Sequence, residues 1–239
     1  MQIHIEFSPD RPLIIPMAYQ YQLQSAIYRK LSRGGAGDWH DGGFAINDGQ
    51  LYKAFCFGRL RGGYTVENRT YLRFTDTFSL EVRSPVFDFC DALQRALELS
   101  PRMKLFDTEL NVSAARLMNV HIFSQTARFA AETPIVVSSR LPNGETEYFS
   151  PEEDRFFTGL CANFTGKYEA VTGEPAPELR LRPVSAFKKT VTKYKGIWVT
   201  GWRGELEVNA PPAALEFLYN AGMGEKNAQG FGFLKLRDS

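Results

Sequence analysis

Three histidines, His4, His40 and His121, carry the side chains best suited to exchange a proton near neutrality, with an ordinary pKa of about 6.5. His4 falls in the middle of an alternating stretch and reads as structural. His121 opens a predicted strand, and its role stays open. His40 is placed differently: it sits in Gly37-Asp38-Trp39-His40-Asp41-Gly42-Gly43, a polar segment with no apolar face to explain an imidazole. It reads either as a solvated loop histidine or as a general acid or base. Tyr28 adjoins an apolar stripe of Leu23, Ile27 and Leu31, where rim packing and a working hydroxyl are both open. Lys53 heads Lys-Ala-Phe-Cys-Phe, so that strand alternation would put it on one face with Phe55 and Phe57.

Near the C-terminus two glycine pairs, Gly222-Met223-Gly224 and Gly230-Phe231-Gly232, flank Glu225 to Gln229. Phosphate-binding glycine loops follow a strand and open a helix. These glycines follow a predicted helix and precede a strand, their spacing is not G-x-G-x-x-G, and no Gly-Lys-Ser/Thr occurs, so dinucleotide and P-loop readings both fail. One reading is a helix cap at Gly222 and a bulged strand start at Gly230. The other is a concave row of N–H groups that could hold an anion, with Lys226 adding charge.

A basic stretch lies upstream: Arg180, Arg182, Lys188, Lys189, Lys193, Lys195 and Arg203 occur between positions 179 and 204 without one acidic residue. Over the whole chain the net charge is only +1, with 44% apolar and 23% charged residues in 239, which names no partner and excludes a disordered or basic-tailed protein. Cys56, Cys90 and Cys161 are too scattered for a disulfide framework or a zinc ribbon. No metal or other cofactor is expected. The opening MQIHIEFSP alternates like a strand rather than a secretion leader, and no apolar run approaches a membrane span. A cytoplasmic protein without a membrane partner is the expectation.

The elements that must position these residues repeat an order. A strand at 2–7 precedes a helix from 19 to 31 and a long polar loop from 32 to 50. Strands at 53–59 and 71–83, a helix at 86–99 and a strand near 105–116 complete β-α-β-β-α-β. The second half does the same: a bent strand within 120–139, a helix opened by the capping box Ser150-Pro151-Glu152-Glu153, β runs at 179–195 and 197–208, a helix from Pro211-Pro212 to Gly222, and a strand at 232–236. The fold class is α+β: two tandem ferredoxin-like domains, 1–118 and 119–239, facing each other across a cleft.

The glycine segment, read as G-h-G-x-x-x-x-x-G-h-G-h-h with h apolar and set between the last helix and last strand, resembles the RAMP superfamily of CRISPR systems, specifically its stand-alone pre-crRNA endoribonucleases. Gly222 to Leu234 matches position by position. The opening strand, the Tyr-Gln-Tyr-Gln-Leu-Gln run of the first helix and the segment around Thr133-Pro134-Ile135 are similar to the same family. The resemblance implies metal-independent cleavage of CRISPR repeat RNA by its own 2′-OH, leaving a 2′,3′-cyclic phosphate and a 5′-OH. It implies His40 as general acid or base, Tyr28 handling the opposite proton and Lys53 stabilising the phosphorane. It implies RNA binding along the hairpin of Lys188, Lys189, Lys193 and Lys195, at Arg180 and Arg182, and at the glycine loop with Gly222, Gly224, Lys226, Gly230 and Gly232. A solvated strand remains the alternative for the lysines. Other CRISPR effector subunits and a second copy of the chain are the further partners such a family allows. The competing reading is a scaffold subunit that grips crRNA without cutting it. An unrelated RRM module is disfavoured, because no Lys/Arg-Gly-Phe/Tyr-Gly/Ala-Phe-Val-x-Phe/Tyr segment is present.

Overall fold

Ile3, Ile5 and Phe7 alternate with Gln2, His4 and Glu6, and the resulting strand, Gln2–Ser8, buries all three apolar side chains on one face. In the computed structural model, which describes residues 1–33, 39, 42–46 and 51–237, this strand lies inside the first sheet. Thr108–Met118, Gln2–Ser8, Phe78–Arg83 and Cys56–Phe57 lie side by side in that order, each neighbouring pair antiparallel. Ile5 faces Ala115 on one side and Leu80 on the other. Counted along the chain these are the fourth, first, third and second strands of a βαββαβ unit. Arg102–Leu105 extends the outer edge beside Thr108–Met118.

Helices α1 (Gln20–Arg33) and α2 (Phe87–Leu99) cover the apolar face. Leu23, Ile27 and Leu31 recur every four residues on α1, while Phe89, Leu93 and Leu97 do so on α2, and all six are buried in one core. Fully burying one such side chain contributes roughly 1.5–3 kcal/mol, so these two stripes hold the helices on the sheet.

The second half builds the same unit. Leu234–Arg237, Thr126–Ala131, Glu205–Asn209 and Arg180–Pro183 form an antiparallel sheet, again fourth, first, third and second in chain order. Helices α3 (Asp154–Thr172) and α4 (Pro212–Ala221) pack their apolar stripes into its core with Phe129, Leu206 and Val208. The chain is therefore two tandem ferredoxin-like sandwiches. No helix among the described residues is long and apolar enough to cross a membrane.

Several elements differ locally from the sequence pattern. The expected strand at 53–59 shrinks to Cys56–Phe57, because Ala54 adopts a left-handed φ of +49° and breaks the alternation between Lys53 and Phe55. The run at 71–83 divides into Tyr71–Phe74 and Phe78–Arg83, which join different sheets. The bent strand within 120–139 is Thr126–Ala131, then irregular chain with an isolated bridge, Ile135 to Trp202, and then the hairpin strand Ser138–Arg140 paired with Thr146–Tyr148, so His121 precedes the strand rather than opening it. α3 starts at Asp154, one turn after the expected cap. Only the Glu half of the box forms ahead of it: the Ser150 N–H donates to Glu153 Oε1 at 2.8 Å, while the Glu153 N–H turns to the Ser150 backbone carbonyl at 2.9 Å instead of the Ser150 hydroxyl.

The two long basic runs also divide. Arg180–Pro183 and Glu205–Asn209 stay in the second sheet, while Lys188–Tyr194 and Ile197–Arg203 leave it as a separate two-stranded arm. Its tip is a two-residue turn in which Lys195 and Gly196 both have positive φ, +47° and +84°, the geometry that matches the right-handed twist of a hairpin.

Candidate RNA-binding and active site

The hairpin tip crosses to the first sandwich. Tyr194 Oη donates to Gln24 Oε1 of α1, its ring meets Tyr21 edge-on at 5.9 Å, and the Lys195 ammonium lies 4.7 Å from the centre of the Tyr21 ring. Beneath this bridge opens a cavity of about 600 Å³ shared by both halves of the chain. Gln24, Tyr28 and Lys53 line it from the first sandwich. Asn163 and Lys167 of α3, the hairpin tip, and Glu225 to Gln229 of the glycine segment line it from the second.

The Tyr28 ring is nearly buried, edge-on to Phe55 at 5.4 Å. Burial, helped by the neighbouring Tyr194, pushes its hydroxyl above the ordinary tyrosine range. Such a phenol keeps its proton and acts as a donor. Tyr194 is pushed up to about 12 by burial and by Tyr21. Lys53 is half-buried and donates to the Gly42 carbonyl at 2.7 Å. His40 lies outside the described residues. His4 stands on the face of the first sheet opposite the helices, part-buried and 3.8 Å from Glu6, and His121 is 3.5 Å from Glu216, both away from the cavity lining.

The four motif glycines are all buried with positive φ, which puts them in the framework of the loop. At Gly232, φ is +67° and an added Cβ would lie 1.9 Å from the Met223 carbonyl oxygen; at Gly224 it would lie 2.5 Å from that of Val136. Only glycine admits these approaches. They let the Met223 N–H donate to Gly232 and the Gly232 N–H to Pro134, at 2.9 and 2.8 Å. The two segments that carried the sequence resemblance thus pair with each other. Between the glycine pairs Lys226, itself at φ +60°, and Gln229 remain half-exposed on the cavity wall.

Lys167 is the cation that sequence reasoning missed. It is 3% exposed, and its ammonium donates to the Gly224 carbonyl and Asn227 Oδ1, both at 2.5 Å, and to the Gly222 carbonyl at 3.4 Å. Asn227 Nδ2 in turn donates to Met223 and Phe231. Desolvation lowers the lysine to about 7, against the attraction of the Cys56 sulfur and the Glu225 carboxylate. A signal for it existed: Lys167 continues the stripe of Phe156, Leu160 and Phe164, where an exposed lysine does not belong.

Among the described residues the cavity lining thus holds Lys53, Lys167, Lys195 and Lys226 against one carboxylate, Glu225, whose oxygens are occupied by the N–H and hydroxyl of Ser138. That excess of cations suits a phosphate backbone. Lys188, Lys189 and Lys193 lie farther up the arm, with Lys193 5.6 Å from the centre of the exposed Trp198 ring. Arg180 and Arg182 sit on the edge strand of the second sheet and pair with Glu178 and Glu207, outside the cavity. Among the described residues no three His, Cys, Asp or Glu side chains gather to hold a metal ion.

Residues 117–236 match the family model described as CRISPR associated protein Cas6, C-terminal. Over 252 aligned residues, covering 98% of this chain and 92% of the relative, the chain is 24% identical to a Methanocaldococcus jannaschii protein named CRISPR-associated endoribonuclease Cas6 1. Among solved structures, one titled CRISPR associated protein Cas6 superposes with a TM-score of 0.82 at 22% identity, over 100% of this chain and 99% of the other. Another, titled as a RAMP protein binding different RNA substrates, gives 0.81 at 22% identity over the full length of both. The match of the family model across half of the chain, over the sandwich that carries the glycine loop and the basic arm, makes this chain a member of the Cas6 family.

Proposed function

We propose that the protein is a metal-independent endoribonuclease that cuts CRISPR repeat RNA. The observation that carries this reading is the shared cavity: Tyr28 and Lys53 of the first sandwich meet Lys195, Lys226 and the glycine loop of the second around a space open to an RNA strand. The relative from Methanocaldococcus jannaschii is named an endoribonuclease, which agrees. The ribose 2′-OH is the nucleophile. His40, whose segment leads into the Gly42 carbonyl held by Lys53, takes the 2′-OH proton as the 2′-O–P bond forms. Tyr28 gives a proton to the departing 5′-oxygen as the P–O5′ bond breaks, a role that fits a phenol held protonated. Lys53 faces the phosphorane oxygens. The products are a 2′,3′-cyclic phosphate and a 5′-OH, and each proton-transfer group contributes about 10²–10⁴-fold. Lys188, Lys189, Lys193 and Lys195 hold the RNA beside the cut, and Lys226 caps it at the glycine loop.

The test incubates purified protein with a panel of repeat RNAs in EDTA and identifies the ends. Wild type should cleave and leave the cyclic phosphate, and His40→Ala should lose at least about 10²-fold in rate while still binding. RNA that both proteins bind and neither cuts would replace the nuclease by a crRNA-gripping scaffold. Undiminished cleavage by the variant would remove His40 from the mechanism.

A further inference from the structure

The cavity does not end at Tyr28. A second one of about 460 Å³ shares Gln24, Tyr28 and Lys195 with it and continues over α1 along Ser25, Arg29 and Ser32. A third, of about 330 Å³, shares Arg29 with the second and opens between α1, the end of α2 and the strand Arg102–Leu105. Shared lining residues set the three in a row across α1, with Arg29 between the second and the third, and together they mark a track.

The track is basic along its length. Arg29, Arg102 and Lys104 are exposed at its far end, and Lys30, 7% exposed, forms the floor there, its ammonium held by the carbonyls of Ser100 and Arg102. The one carboxylate on that wall among the described residues, Glu109, stands 3.8 Å from Arg102. A buried cation pinned by two carbonyls beside three exposed ones is an electrostatic sink for phosphates, with potential focused by the cavity walls. Apolar surface alternates with the charge. The ring of Tyr21 is 39% exposed at the near end and Leu99 is 80% exposed at the far one, surfaces on which unstacked bases could rest. Charge spread along a groove, interleaved with apolar platforms, fits an extended polyanion with bases better than a small anion.

We propose that a single-stranded segment of the bound RNA, continuous with the strand in the cleft, runs over α1 and ends in the basic pocket of Arg29, Lys30, Arg102 and Lys104. The proposal rests on the RNA reading of the cleft given above. It adds a second anchoring site to it, one that reads phosphates and length rather than base sequence.

Fluorescein-labelled 2′-O-methyl-uridine oligomers of five and fifteen nucleotides, which lack the nucleophile, provide the probe. Wild type should bind the 15-mer about 10-fold or more tightly than the 5-mer. Arg29→Glu/Lys104→Glu should bind the 5-mer as wild type does, lose most of the gain with length, and flatten the salt dependence of 15-mer binding by about 1.4 in log–log slope, for two phosphates at roughly 0.7 each. A length gain that survives the double substitution, or none in wild type, overturns the track while leaving the cleft intact. Failure of both oligomers to bind, with no repeat RNA cut, overturns the cleft reading and the track with it. As a check independent of substitutions, 15-mers carrying 4-thiouridine at one end or the other are photo-crosslinked to wild type. Adducts within residues 99–104 from one end only support the track and say which flank enters it; adducts confined to the cleft from both ends refute it.

Discussion

The guanidinium carbon of Arg83 lies 3.6 Å from the centre of the Tyr219 ring, although the first belongs to the N-terminal sheet and the second to α4 of the other sandwich. Phe233 closes the other side at 3.9 Å. Arg83 Nε donates to Glu81 Oε1 and Nη1 to the Leu234 carbonyl, both at 2.6 Å. Glu81 also meets Arg61, which reaches Glu132 across the interface. Arg83 is 1% exposed, so one residue stacks, neutralises and hydrogen-bonds the two halves together.

Removing it takes the buried partner from the Glu81 carboxylate and leaves it only the part-exposed Arg61 at 3.2 Å. Breaking a buried pair by removing one partner costs about 3–5 kcal/mol, which for a chain of this size is a fall of roughly 6–20 °C in Tm. Arg83→Leu should show that loss by calorimetry, and Arg83→Lys, which keeps charge but not the planar stack, an intermediate one. A Tm within about 2 °C of wild type for Arg83→Leu would mean that the network does not hold the sandwiches together.

The glycine loop gives a contrast between two substitutions of the same kind. Gly232→Ala meets both a left-handed φ and a carbonyl 1.9 Å from the new methyl, whereas Gly144, at φ +84° in a hairpin turn, has nothing within 4 Å. Gly144→Ala should cost about 1 kcal/mol, the backbone penalty alone. Gly232→Ala should cost at least about 3 kcal/mol and weaken RNA binding, because the Met223 to Gly232 pairing must open. Urea denaturation and RNA titration of both variants check it; equal stabilities would show that the loop yields to the methyl.

Much of this architecture was legible in the residues. The period-four stripes of Leu23, Ile27 and Leu31 and the alternation of Ile3, Ile5 and Phe7 mark elements that bury one face only, and such elements announce themselves. Tyr28 and Lys53, 25 residues apart in the chain, line one cavity. What stayed hidden is the interface. Ser79, Glu81 and Arg83 alternate with Phe78, Leu80 and Val82 and read as the wet face of a strand. The second sandwich covers part of that face, so Arg83 is buried by Tyr219, Phe233 and Leu234, more than a hundred residues away, and Glu81 is buried beside it. Lys167 was missed for the same reason: its acceptors are carbonyls of the glycine loop, and a backbone carbonyl leaves no mark on a sequence. At the division of the basic run into sheet and arm Phe187 packs over Gly204, a contact between positions that the sequence holds 17 residues apart.

Tyr28→Phe separates hydroxyl from ring. The phenyl group keeps its edge contact with Phe55 and its place in the core. On the proposed mechanism cleavage should fall by about 10²-fold or more, since the 5′-oxygen loses its donor, while affinity for uncleavable RNA and Tm stay near wild type. Single-turnover rates at saturating protein make the comparison. A rate within about threefold of wild type would reassign the leaving-group proton.

Lys167 makes stability depend on pH in an unusual direction. Its ammonium has an ordinary value of 10.5 and is lowered by burial to about 7 in the folded chain. Between those values the unfolded chain holds the proton and the folded chain has released it, so the unfolded state binds more protons and stability rises with pH across the window. Below pH 7 both states are protonated and the contribution is flat. The slope is on the order of 1 kcal/mol per pH unit. Lys167→Met keeps the length of the side chain and deletes the titration, and other groups cancel in the difference between the two proteins. From pH 7 to pH 9 the stability of wild type relative to Lys167→Met, measured by urea denaturation, should therefore increase by about 2 kcal/mol. A difference that stays level across that range would show that the three acceptors of the glycine loop hold the ammonium charged in spite of its burial.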